Sequence, residues 1–149
     1  MKNEFQYNLN LKWLGDENGS HHRNDRFYEI NIDGKPSFKG SADKPFFGDD
    51  SLYNPEDLLL SALSSCHMMS FLFLCRKEGL SVKSYADNPL GLLRVNAKGR
   101  GAFESVKLQP VVEFVDSSNS TRLKDLHERA GKLCFIANSV NFPIEYHIA

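Results

Sequence analysis

The feature that most constrains this chain is a long apolar segment near its middle, SLYNPEDLLLSALSSCHMMSFLFLCRKEGL, residues 51–80. Asn54 is a good helix N-cap, Pro55 suits the first helical position, and Glu56 favours the positive end of a helix dipole. Gly79 is placed to end the helix. Such a helix must be covered on several sides, because apolar residues lie all round it: Leu58, Leu59, Leu60, Leu63, Met69, Phe71, Leu72, Phe73 and Leu74.

The residues before this helix have the pattern of strands. Apolar side chains alternate with polar ones over residues 5–13, which predicts a strand with one solvent-facing side. A polar loop, GDENGSHHRND, follows it. Asp33 and Gly34 then form a turn signal between two further apolar stretches, which predicts a hairpin.

The residues after the long helix predict more strands and a second helix. Alternation over residues 93–97 and 103–108 indicates strands, and Pro110 predicts an edge or a bulge before residues 111–115. The segment SSNST is expected to cap a second helix whose apolar residues recur at three- and four-residue steps: Leu123, Leu126, Ala130, Leu133 and Ala137. A last short strand is expected over residues 144–148. This order predicts one α+β domain over residues 1–149, with mostly antiparallel sheet packed on two helices.

Charge and composition exclude several classes of protein. The 149 residues carry 18 basic and 19 acidic side chains, so no basic surface is expected for nucleic acid or for a membrane. The apolar segment is interrupted by Ser and His and is therefore interpreted as a core helix, not a membrane span. The N-terminus, MKNEFQYNLN, lacks the apolar run of a signal peptide. Together with an odd number of cysteines, this predicts a cytoplasmic protein with reduced thiols.

The three cysteines differ in which partners they can reach. Cys66 and Cys75 lie nine residues apart on one helix, so they face opposite sides about 13 Å apart and cannot form a disulfide. Cys75 is interpreted as a small buried core residue. Cys134 lies near the apolar face of the second helix, and facing cysteines on helices packed 8–10 Å apart can reach bonding distance. Cys66 and Cys134 are therefore the one candidate redox pair, with plain core packing as the alternative.

A reactive Cys66 requires a nearby cation, because the thiolate is the nucleophile. The dipole of the helix helps little at a residue so far inside it. Arg23 and Arg26, in or just after the loop between the first strands, are candidates. His67 points about 100° away from Cys66 on the helix, so it is predicted to be a partly buried, hydrogen-bonded core histidine.

Two stretches resemble the OsmC/Ohr family of osmotically inducible and organic hydroperoxide resistance proteins. They are YNPEDLLLSALSSCHM, with its Asn-Pro-Glu start and a cysteine ten residues after the Glu, and LHERAGKLCFIANSVNFP, with a second cysteine. The resemblance covers nearly the whole chain and is greatest to the OsmC-like branch. It implies an OsmC-like fold, an intertwined homodimer with active sites at the subunit interface, and a thiol peroxidase that prefers organic hydroperoxides.

The resemblance also implies roles for individual residues. Cys66 matches the peroxidatic cysteine, which becomes a sulfenic acid, and Cys134 matches the resolving cysteine, which condenses with it to a disulfide. A dithiol, a lipoyl group in the Ohr branch, would reduce that disulfide. Glu56 matches the glutamate that holds an active-site arginine. Some members carry this arginine shortly before Asn-Pro-Glu, but the corresponding stretch of this chain, KPFFGDDSLY, contains no arginine. Ohr proteins carry it in the loop between the first strands, so the resemblance assigns it to Arg23.

Other functions remain open at this stage. Ten residues of helix separate Glu56 from Cys66 by about 15 Å, so Glu56 would have to act from the partner chain or through a long arginine. A non-enzymatic dimer could sense oxidants, or bind a small hydrophobic ligand at Phe46, Phe47, Phe71 and Phe73. A cysteine hydrolase would need a Cys–His pair with an orienting acid, but His127 and Cys134 lie seven residues, about 10 Å, apart on one helix. His21 and His22 match no zinc-site spacing, so no metal or other cofactor is expected.

Overall fold

The computed structural model describes residues 2–15 and 26–149. It divides into two compact units, Met1–Leu58 and Leu59–Ala149. The long helix α1, Pro55–Lys77, begins at the end of the first unit and continues into the second. The architecture is α+β with mostly antiparallel strands and two main helices, as the sequence predicts.

The first unit contains an antiparallel sheet in the order β1, β2, β3. These strands are Asn10–Trp13, Tyr28–Asn31 and Phe38–Gly40. Gly34, at φ 75°, makes the predicted turn between β2 and β3, and the Lys35 amide donates to the Ile32 carbonyl at 3.0 Å. Strand β1 is shorter than the alternation over residues 5–13 predicts. Alternation describes which side chains face water, but a strand also needs a hydrogen-bonded neighbour, and β2 pairs only residues 10–13.

Helix α1 has the ends that its sequence predicts. The Asn54 side chain accepts from the Asp57 amide at 2.8 Å, and the Asp57 carboxylate accepts from the Asn54 amide at 3.2 Å. This reciprocal pair satisfies two amides at the helix start. At the other end Gly79 adopts a left-handed conformation with φ 70°, and the Leu80 amide donates to the Cys75 carbonyl at 2.8 Å.

The second unit contains two small sheets. Strand β4, Val82–Ala86, pairs antiparallel with β7, Val111–Phe114. Strand β5, Leu90–Val95, pairs antiparallel with β6, Gly101–Leu108. The last strand, β8, Ile144–Tyr146, joins β6 in parallel.

Helix α2, Leu123–Leu133, begins at the first apolar residue of the predicted pattern and ends before its last, Ala137. The segment SSNST does not cap it but lies in a separate 3₁₀ helix, Ser117–Arg122, which the Asp116 side chain caps. The helix ends before Cys134, whose backbone is extended at φ −70° and ψ 112°. The Asn138 side chain donates to the Lys132 carbonyl at 3.0 Å and so satisfies one of the free carbonyls at the helix end. The spacing of apolar residues cannot show where a side-chain hydrogen bond of this kind replaces the next backbone bond of the helix.

Two apolar clusters form the core of the second unit, and each contains one buried cysteine. The Cys75 cluster consists of Phe71, Leu74, Cys75, Phe114, Leu126 and Ala130. The Cys134 cluster consists of Leu63, Val106, Leu108 and Cys134. Both clusters use α1, which therefore contributes to both halves of the core.

Candidate functional site

The structure brings Cys66 and Cys134 together. Cys134 is fully buried in its cluster, and the half-buried Cys66 packs against that cluster. Both are free thiols, and the interaction with Cys66 is among the influences that raise the pKa of Cys134. The sequence predicts that Cys134 lies on α2. It lies instead directly after the end of this helix, and there its side chain packs in the same cluster as Leu63 of α1.

The environment of Cys134 keeps it protonated at neutral pH. Burial raises the pKa of this thiol to about 11, and the hydrogen bond and charge interaction with Cys66 also raise it. The backbone amides of Ala137, at 3.4 Å from the sulfur, and of Ile136 act in the opposite direction. Cys134 is therefore a poor attacking group by itself, and it needs to lose its proton during any reaction.

Cys75 has no part in this pair. It is buried in the other cluster, and burial, followed by the nearby Glu78, raises its pKa to about 11, while Arg122 acts in the opposite direction. The interpretation of Cys75 as a core residue is confirmed.

His67 is hydrogen-bonded, as predicted, but it is fully buried and not partly so. Its Nε2 lies 2.9 Å from Nδ1 of His127 on α2. From the sequence, His127 is a candidate only as a partner for a catalytic cysteine, but its ring faces another histidine. The sequence does carry a signal for the burial of His127, because this residue lies beside Leu126 and Ala130 on the apolar face of α2.

Glu56 lies in the first unit, on the wall of a pocket of about 320 Å³. The pocket is lined by Arg26, Ala42, Asp43, Phe46, Phe47, Pro55 and Glu56. It combines a cation, two carboxylates and two aromatic rings. Arg26, which the sequence analysis weighed beside Arg23, is thus on the same pocket as Glu56. Arg23 itself, with His21 and His22, lies outside the described residues.

The loop that forms this pocket is tightly built. The buried Ser41 hydroxyl accepts from the Asp49 amide at 3.0 Å, and Gly48 lies so close to the Ala42 backbone that a Cβ atom would come within 1.7 Å of its carbonyl oxygen. Between them, Phe47 adopts a left-handed conformation at φ 63° with its side chain exposed. Bulky residues rarely adopt this conformation, so the loop holds the Phe47 ring at the pocket at some conformational cost.

Only two of the four phenylalanines proposed for a ligand pocket lie together. Phe46 and Phe47 line the pocket of the first unit, whereas Phe71 belongs to the Cys75 cluster and Phe73 is exposed on α1. Within residues 2–15 and 26–149, no three His, Cys, Asp or Glu side chains come close enough together to hold a metal ion.

The family model for OsmC-like proteins matches residues 48–148. The chain belongs to the OsmC-like family. No curated protein matches the sequence. Helix α1, with 23 residues and a mean hydropathy of 1.8, is long and apolar enough to cross a membrane by length and composition alone. Its residues take part in both core clusters of the second unit, and no membrane protein is indicated.

Solved structures of OsmC and organic hydroperoxide resistance proteins share this fold. An OsmC-like protein of unknown function from Vibrio cholerae is 29% identical, with a TM-score of 0.86 over 98% of this chain and 100% of the other. An organic hydroperoxide resistance protein from Elizabethkingia anophelis is 18% identical, with a TM-score of 0.75 over 100% and 99% of the two chains. One from Legionella pneumophila is 16% identical, with a TM-score of 0.73 over 98% and 99%. These likenesses show that the chain shares its fold with these proteins.

Proposed function

We propose that this protein is a thiol peroxidase that reduces organic hydroperoxides through Cys66 and Cys134 and is recycled by a dithiol. The observation that carries the proposal is that the half-buried Cys66 packs against the cluster that contains the fully buried Cys134. Two thiols that touch can form a disulfide without a large backbone movement, provided the narrow geometry of that bond is met.

The difference in environment assigns the two roles. Cys66 is the more accessible thiol, so a hydroperoxide can reach it. The thiolate of Cys66 attacks the O–O bond, which breaks to give the Cys66 sulfenic acid, and the leaving alkoxide takes a proton to become the alcohol. Cys134 then attacks the oxidised sulfur: the S–S bond forms, the S–O bond breaks, and the Cys134 proton leaves with the hydroxide as water. A dithiol of the lipoyl kind returns both thiols by exchange.

Cys66 needs a cation to form its thiolate, and the pocket of the first unit supplies a second candidate besides Arg23. Arg26 and Glu56 line that pocket together. In the homodimer that the family resemblance implies, Glu56 and an arginine of one chain serve Cys66 of the other. Phe46 and Phe47 would contact the organic part of the hydroperoxide and disfavour hydrogen peroxide, which has no such part.

The homodimer is supported by the uncovered side of α1. Ser61, Ser65, Met69 and Phe73 recur every four residues on one face and are all exposed, Met69 by 60% and Phe73 by 59%. Only 28% of the most apolar window of this helix is buried in the single chain. A partner chain would cover this stripe, because the large apolar side chains of Met69 and Phe73 are costly to leave in water and the two serines allow close approach of a partner. Met69→Glu should produce monomers in sedimentation velocity, whereas Lys124→Glu on α2 should not.

The decisive experiment is mass spectrometry of the reduced protein after one equivalent of tert-butyl hydroperoxide, with free thiols alkylated. The proposal expects a Cys66–Cys134 disulfide, formed faster than with hydrogen peroxide and reversed by dihydrolipoamide. Cys66 remaining a free thiol at excess hydroperoxide would overturn it.

The second candidate function is a non-enzymatic dimer that senses oxidants or binds a small hydrophobic ligand. The observation that favours it is the aromatic pocket with Phe47 held exposed in a left-handed conformation. Turnover separates the two functions, since a sensor is oxidised once, whereas a peroxidase consumes many equivalents of hydroperoxide when a dithiol is present.

A further inference from the structure

Two fully buried histidines join α1 to α2 beside the candidate cysteines. The Nε2 atom of His67 and the Nδ1 atom of His127 are 2.9 Å apart, and both side chains are 0% exposed. The rings are nearly parallel, at 12°, with Phe71 stacked on His127 at 4.3 Å and Tyr146 beside His67 at 4.8 Å. The pair is therefore enclosed by aromatic rings and closed to solvent.

This arrangement is costly compared with an apolar one. Burial lowers the pKa of both histidines to about 4, so both are neutral at pH 7 and one ring nitrogen donates its proton to the other. Among the described residues, the two outer nitrogens, Nδ1 of His67 and Nε2 of His127, have no hydrogen-bond partner. Leucines of similar size would avoid these unpaired groups and pack well. A polar pair in such a place suggests a role that leucines could not fill.

A directional hydrogen bond fixes the position of one helix along another, which apolar packing leaves adjustable. His67 directly follows Cys66 on α1, and His127 precedes Cys134 by seven residues, most of them in α2. The histidine pair and the thiol pair are thus two links between the same two segments of chain. Apolar side chains can slide past one another, whereas the 2.9 Å bond specifies how far α2 lies along α1.

We propose that His67 and His127 are positioning residues for the resolving step, which hold α2 in the register that brings the Cys134 sulfur onto Cys66. This inference rests on the proposed function. In that step the Cys134–Cys66 S–S bond forms as the S–O bond of the sulfenic acid breaks and water leaves. A disulfide requires Cα atoms about 4.4–6.8 Å apart, and a slip of one residue along a helix moves a side chain by about 1.5 Å. Small shifts of α2 therefore matter for this step but not for the attack of Cys66 on a hydroperoxide.

The test uses the full chain and separates the two steps. After one equivalent of tert-butyl hydroperoxide, dimedone traps the Cys66 sulfenic acid, and mass spectrometry follows the disulfide over time. The main variant is the double substitution His67→Leu with His127→Leu. Since it removes both hydrogen-bonding partners at once, it should fold with nearly unchanged stability. The control is His147→Gln, which alters an exposed histidine.

A second variant distinguishes positioning from a general structural role. His67→Gln with His127→Asn keeps polar atoms near the positions of Nε2 and Nδ1, so it should restore the hydrogen bond. We expect the double-leucine variant to form the sulfenic acid at the normal rate and the disulfide about tenfold to a hundredfold more slowly. The glutamine–asparagine variant should regain most of the lost rate, and His147→Gln should behave as the parent chain.

The outcomes separate this inference from the proposed function. If the parent chain forms no sulfenic acid, the peroxidase function fails. If the parent chain completes both steps and the folded double-leucine variant forms the disulfide equally fast, the histidines do not position Cys134 and the inference is overturned. Slow resolution that the glutamine–asparagine variant does not restore would also overturn it, because the hydrogen bond would then not be the cause.

Discussion

The Cys75 cluster and the Cys134 cluster share one feature and differ in what surrounds it. Each contains a buried cysteine, and burial raises the pKa of each thiol to about 11. Cys75 lies among aromatic and aliphatic side chains, whereas a second, more accessible thiol, Cys66, packs against the cluster that contains Cys134. Burial by itself therefore makes a cysteine unreactive. Whether a buried thiol can take part in a reaction depends on the groups that lie next to it.

The largest expected effect distinguishes the accessible thiol from the isolated one. Cys66→Ser should lower peroxidase turnover about a thousandfold or more, because the nucleophile is lost. Cys75→Ser should retain turnover within a small factor once its loss of stability is taken into account. Steady-state consumption of tert-butyl hydroperoxide with dihydrolipoamide measures both. Equal losses in the two variants would remove the distinction between the clusters.

A smaller effect is expected when only the resolving thiol is removed. Cys134→Ser should leave the first oxidation of Cys66 intact and abolish the disulfide, so that the sulfenic acid accumulates and is further oxidised at excess hydroperoxide. Intact mass spectrometry after one equivalent should show a gain of one oxygen and no internal disulfide. A normal disulfide in this variant would mean that Cys66 pairs with another thiol.

Stability should depend on the two clusters about equally. Leu126→Ala in the Cys75 cluster and Leu108→Ala in the Cys134 cluster each remove a fully buried side chain, which costs about 2–5 kcal/mol. Leu133→Ala, at a side chain that is 43% exposed, should cost far less. Urea unfolding of the three variants measures these differences. A much smaller cost for Leu108→Ala would indicate that the Cys134 cluster is loosely packed.

A pH dependence is expected beside the clusters, at the histidine pair. Burial lowers the pKa of His67 and His127 from the usual 6.5 to about 4, so the unfolded chain binds more protons than the folded one between these values. The free energy of unfolding should therefore fall as pH decreases from 6.5 towards 4. Asp87, whose charge acts on His67 in the opposite direction, reduces the effect. Urea unfolding at several pH values should show a flatter dependence for the double-leucine variant.

Features set by neighbouring residues could be read from the sequence. Asn54, Pro55 and Gly79 placed both ends of α1 correctly, because capping bonds form within a few residues of the chain. Apolar periodicity found α2 but not its end, since the competing bond from Asn138 involves a residue beyond the pattern. The alternation over residues 5–13 likewise indicated a strand without indicating how far a partner would extend.

The candidate site depended on contacts between distant parts of the chain. Spacing on α1 excluded a Cys66–Cys75 disulfide, and the family resemblance named Cys134 as the partner of Cys66. The sequence by itself determined the helices, the class of fold and the cysteines worth testing, because propensity, capping and periodicity are local properties. Only the tertiary structure decided that Cys134 leaves its helix to meet Cys66, that Arg26 shares a pocket with Glu56, and that His67 bonds to His127. Such contacts arise when separate elements pack together, and no local pattern encodes the distance between them.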